Sequence, residues 1–190
     1  MDVMETRLLD SINECVDNSI LRDNLNSEFG RYQGIISKLK MGKKVPGYSK
    51  SYLPDYRMHL VKILQQSRDA EVELKNSRRI YNNILNECNK NVISFICKML
   101  SQRIVDIENL ILLLQTDIYV KENARKAAGK RNKVYSALVD TIINESKSAV
   151  TQLVMRRSYY NTYLLYLSER IGLVMPKAYE KKLKEWIWNI

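Results

Sequence analysis

Residues 55–128 contain neither glycine nor proline, and neither do residues 130–171. A stretch with no residue that ends a helix or supplies a tight turn has few options beyond a long helix, because strands of ordinary length need turns at short intervals. With 6 Gly and 3 Pro in 190 residues, composition argues against a turn-rich sandwich or barrel. The length fits a single domain, so the expectation is an all-α, elongated antiparallel bundle of about five or six helices with three long rods.

Hydrophobic spacing places those helices. Met4, Leu8, Ile12 and Cys15 mark one face of a first helix over about residues 2–16, with Asp17-Asn18-Ser19 reading as a stop and a fresh cap. A second stripe from Ile20 to Leu39 is weakened by Gly30 and Gly34, and residues 1–40 read as an N-terminal helical arm. Residues 41–54 hold two Gly and two Pro and are the clear irregular loop, with Pro54 suited to the first turn of the next helix. A seam of alternating three and four steps from Leu60 to Cys88 then makes a rod over 54–89. The Asn86, Asn89 and Asn91 cluster predicts a reversal, against one unbroken helix to about residue 127. Rods over 92–128 and 131–171 come next, and Met175-Pro176 opens a final helix over 176–190 carrying Leu183, Trp186 and Trp188.

Charge is the second constraint. Lys and Arg number 31 against 21 Asp and Glu, a formal +10, which favours an anionic partner. Residues 38–57 carry Lys38, Lys40, Lys43, Lys44, Lys50 and Arg57 against Asp55, a net +5. Residues 121–133 carry Lys121, Arg125, Lys126, Lys130, Arg131 and Lys133 against Glu122, again +5. If the chain reverses near Asn89, both sets reach one end of the bundle. Tyr48, Tyr52 and Tyr56 interleave with the first set, the mixture that stacks on bases while neutralising a phosphate backbone. The plainer account is a solvated Lys-rich loop whose tyrosines rest on the helices. Arg156-Arg157 beside Tyr159 and Tyr160 reads as a solvated face with snorkelling stems, or else as a ridge for nucleic acid. Lys177, Lys181, Lys182 and Lys184 with the two tryptophans read as a docking helix, or as a membrane-surface anchor.

Catalytic chemistry is not indicated. His59 is the sole histidine and sits in an amphipathic stretch; Cys88 and Cys97 lie nine apart on apolar stripes, unlike a zinc half-site. Glu71 with Glu73, and Asp106 with Glu108, are two apart and so do not share a helix face. No Gly-Lys-Ser/Thr phosphate loop is present. The expectation is a non-enzymatic protein without cofactor or metal. Its leading reading is a nucleocapsid-like or replication-accessory protein that binds DNA or RNA along the backbone, in a homo-oligomer or with a partner subunit. The alternative is a helical scaffold or adaptor subunit, with a membrane-surface rod as a lesser variant. Three cysteines, no apolar run near the ~20 residues of a membrane span, and an acidic start where a signal peptide needs cations suit a reducing intracellular compartment. A composition rich in Asn, Ile, Lys and Tyr is of the kind AT-rich genomes write, viral ones included, which makes a virion the other setting.

Overall fold

The computed structural model describes residues 2–128 and 133–173. Every regular element among them is helical: α1 (Val3–Lys40), α2 (Leu53–Glu87), α3 (Lys90–Ala128) and α4 (Lys133–Ile171), with a single 3-10 turn at Lys50–Tyr52. Two compact units result, Arg7–Glu87 and the remainder of the described chain.

Four helices replace the expected five or six among the described residues, because α1 runs through Asp17-Asn18-Ser19 without a break. Ser19 is buried, and the half-buried Asn18 amide donates to Ser77 Oγ on α2 at 3.3 Å rather than capping a new helix. Gly30 and Gly34 stay inside α1, each with open space where a Cβ would be. Asp2 precedes the first helical residue: its amide donates to the Glu5 carboxylate at 2.7 Å, one half of a capping box, while its own Oδ1 accepts from the adjacent Val3 amide at 2.6 Å. The helix expected over 176–190 lies outside the described residues.

In the first unit α1 and α2 are antiparallel. Along α1 the residues Arg7, Asn18, Arg22, Asn26 and Glu28 meet Glu87, Ser77, Glu71, Ser67 and His59 in turn. The predicted seam on α2 is buried at Ile63, Ala70, Leu74, Ser77, Tyr81 and Leu85, while Leu64 is turned outward at 38% exposure. Each fully buried Leu or Ile contributes about 1.5–3 kcal/mol through the apolar area it removes from water.

Cys88 and Asn89 form the break between α2 and α3, which excludes an unbroken helix from 54 to 127. Asn89 Oδ1 accepts from the amides of Asn91 and Val92, both at 3.0 Å, so it satisfies two of the donors that open a helix. In the second unit α3 and α4 are antiparallel: Cys97 meets Ser168, Arg103 meets Tyr160, Glu108 meets Arg157, Glu122 meets Lys147 and Arg125 meets Asp140. Ile118, Val139 and Ile143 form a shared core with Val150 against it. Gly172 ends α4 at φ 72°, with the Leu173 amide reaching Ser168 O at 2.9 Å, a Schellman closure.

Candidate functional site

The loop between α1 and α2 is built from its turn residues outward. Gly42 at φ 73° closes α1, its own amide bonding Leu39 O at 3.1 Å and that of Lys43 bonding Lys38 O at 3.0 Å. Val45-Pro46-Gly47-Tyr48 then reverses the chain, the Tyr48 amide reaching Val45 O at 3.1 Å with Gly47 at φ 77°. Pro at the second position and a left-handed Gly at the third are what a type II turn requires. Ser49 caps the 3-10 turn through its side chain, and α2 begins at Leu53 with Pro54 in its first turn, as the sequence predicts.

Aromatic rings hold this loop to the helices. Tyr48 stands edge-on to Tyr32 of α1 at 6.3 Å and to Tyr56 of α2 at 5.5 Å between centroids. His59 lies 4.5 Å from Tyr32, its Nε2 3.2 Å from Glu28 Oε1. The Ser49 amide donates to the Tyr56 hydroxyl at 3.3 Å. Edge-to-face pairs add about 0.5–1.5 kcal/mol each beyond area burial, so Tyr48 and Tyr56 help hold the loop to the two helices. Tyr52 is different: it touches Tyr56 at 6.4 Å yet stays 57% exposed.

Around this braced tip stand Lys38, Lys40, Lys43, Lys44, Lys50 and Arg57, all exposed. None of the six makes an ion pair with a described residue. Two further cations belong to the same region: Lys62 on α2, and Arg31, whose guanidinium lies 5.0 Å from the Tyr32 ring centroid. Residues 31–62 thus hold eight cations against Asp55 alone. A scan for runs of charge stops at Lys38 and misses Arg31, Tyr32 and Lys62; the helical spacing from Arg31 to Lys38, two turns, is the signal that would have found the first.

The second basic set falls in the other unit and has a different character. Lys121 pairs with Asp117 one turn back, and Arg125 with Asp140 of α4 at 2.9 Å. Glu122 accepts from Lys147 at 2.7 Å, and that hydrogen bond and charge, with Lys126 and Arg125 nearby, hold its carboxyl below the usual range. Two of the described cations here, Lys121 and Arg125, are thus met by carboxylates within the chain. Lys126 is exposed, Lys133 opens α4, and Lys130 and Arg131 lie outside the described residues, as do the lysines and tryptophans beyond residue 173. Arg157 of the Arg156-Arg157 step pairs with Glu108 at 3.7 Å. Because the two basic sets belong to different units, each is taken by itself.

Cys15 and Cys97 are buried and Cys88 is half-buried. Among the described residues no three His, Cys, Asp or Glu gather in a way that could hold a metal ion, and no helix is long and apolar enough to cross a membrane. Set against known proteins, the chain matches no family model, no curated protein and no solved structure.

Proposed function

We propose that this chain is a non-enzymatic structural protein that binds nucleic acid along its phosphate backbone through the tip of the α1–α2 hairpin. The observation that carries the reading is six exposed cations without an ion pair among the described residues, gathered at the tip of the hairpin, on the last turn of α1, the loop and the first turns of α2, where Tyr48 is braced by Tyr32 and Tyr56. Such a concentration of like charge repels itself, and a polyanion relieves that repulsion. Five of the six are lysines, compact point charges suited to phosphates; base reading favours the bidentate fork of arginine. Binding is then largely independent of sequence. The set at Lys121, Arg125 and Lys126 is secondary, since two of its cations already have carboxylate partners.

Fluorescence anisotropy with two unrelated oligonucleotides tests the proposal. Changing Lys43, Lys44, Lys50 and Arg57 to Ala is expected to weaken binding equally for both and to reduce the slope of log affinity against log salt by up to about four, near one per phosphate contact. An unchanged slope rejects this tip. Failure of the unaltered protein to bind any polyanion at low salt rejects the function and leaves the helical scaffold.

A further inference from the structure

Nine residues on α3, namely Gln102, Val105, Asn109, Leu112, Leu113, Thr116, Tyr119, Val120 and Asn123, are all exposed and all uncharged. In a chain that is 27% charged, a face of this kind over 22 residues calls for an explanation. Winding α3 at ~100° per residue gathers these nine on one arc of the helix, with Val105, Leu112 and Tyr119 each about 100° round from the preceding Ile104, Ile111 and Ile118 of the buried stripe. Val105, Asn109, Leu112, Thr116, Tyr119 and Asn123 keep steps of four and three, the spacing of a coiled-coil seam. In heptad letters Val105, Leu112 and Tyr119 are d positions, Asn109, Thr116 and Asn123 are a positions, and Leu113 and Val120 widen the seam at e.

We propose that this face pairs with the same face of a second copy of the chain, in parallel and in register. The occupant is argued first from the a positions. An Asn or Thr buried at a seam is costly against an apolar partner, but in a parallel in-register pair each meets its own counterpart and can hydrogen-bond to it. Charge agrees. The carboxylates flanking the seam at g, Glu108 and Glu122, are matched by Arg157 and Lys147 of α4 within the same chain, and Asp106 at e, which accepts from the Gln102 side-chain amide at 2.8 Å, faces the uncharged Ser101 at g of the other copy, so pairing of identical faces brings no uncompensated like charges together. Area also agrees. Leu112, Leu113 and Tyr119 are 63%, 68% and 66% exposed; with Val105 and Val120 they present on the order of 500 Å², and the polar positions between them bring the face toward the ~800 Å² that each partner gives a standard interface.

Sedimentation equilibrium of the full chain at roughly 50 μM, where self-association is favoured by mass action, is expected to show a dimer. Changing Leu112 and Tyr119 together to Glu is expected to give a monomer with an unchanged far-ultraviolet circular dichroism spectrum. Asn109→Cys, in a Cys88→Ser background, is expected to oxidise to a covalent dimer, because a parallel register brings the two copies of position 109 within disulfide reach. A monomeric unaltered chain overturns the proposal, and so does a dimer that survives the double Glu variant. A dimer that the Asn109→Cys change fails to cross-link overturns the parallel register.

Discussion

The ring of Tyr48 in the interhelical loop meets the ring of Tyr56 on α2 edge to face, with centroids 5.5 Å apart. Tyr56 also contacts Tyr32 and Tyr52 and accepts from the Ser49 amide, so one side chain ties together α1, the loop and α2. Tyr56→Ala is expected to destabilise the hairpin by about 1–3 kcal/mol and to expose the Lys43-Lys44 segment to trypsin. Tyr56→Phe, which keeps the rings and loses one long hydrogen bond, should cost less than about 0.5 kcal/mol. Limited proteolysis beside urea titration checks both; equal cleavage rates in all three proteins would show that the rings do not brace the loop.

Tyr52 separates stacking from structure, since its ring is the most open of the cluster. Tyr52→Ala is expected to leave stability within about 0.5 kcal/mol of the unaltered protein. If the tip takes single strands with stacking, the same change should weaken single-strand binding by ~1–3 kcal/mol and leave duplex binding untouched. Equal affinities for single strands before and after the change would make the tip a purely electrostatic contact.

How much the residues disclose in advance depends on how local each determinant is. The limits of α2, α3 and α4 are set by Pro54, by the Asn89 cap and by Gly172, each acting through its own backbone neighbours, and all are visible in a linear reading. The continuity of α1 is not, because Asp17-Asn18-Ser19 has the composition of a cap and only the distant Ser77 draws Asn18 into the hairpin. The same distinction runs through the candidate site. Tyr48, Tyr52 and Tyr56 stand out beside their lysines, yet Tyr32 and His59 join them only through the α1–α2 register. Asp117 at four residues from Lys121 is a partner that helical spacing predicts; Asp140 beside Arg125 arises from α3–α4 packing.

Asn89 is expected to be a sensitive position despite its exposure, because its carboxamide oxygen takes both the Asn91 and Val92 amides. Asn89→Ala should cost about 0.5–2 kcal/mol. Asn89→Asp should hold or slightly raise stability, since a carboxylate keeps the acceptor and complements the positive end of α3. Urea midpoints for the two variants decide it: an Ala variant as stable as the unaltered protein would mean the break between α2 and α3 holds without the cap.

The cysteines give a pH-dependent prediction. Burial pushes the Cys97 thiol up, partly offset by its hydrogen bond with Ser168 Oγ at 3.7 Å. A thiol raised in the folded state binds its proton more tightly there than in the unfolded chain. Its contribution is therefore intact below the ordinary thiol value of about 8.5 and declines as pH rises from there through the folded value. Cys97→Ala removes that decline, so the unaltered protein should lose more stability than the variant between about pH 8 and pH 10, while the other alkaline titrations stay common to both. The thiolate is the nucleophile, so iodoacetamide at about pH 8 should modify the half-buried Cys88 first and reach Cys97 only as the chain unfolds. Parallel loss of stability in the two proteins, or Cys97 alkylated as fast as Cys88, would show that this thiol is open to solvent and that the α3–α4 contact around Ser168 is not closed.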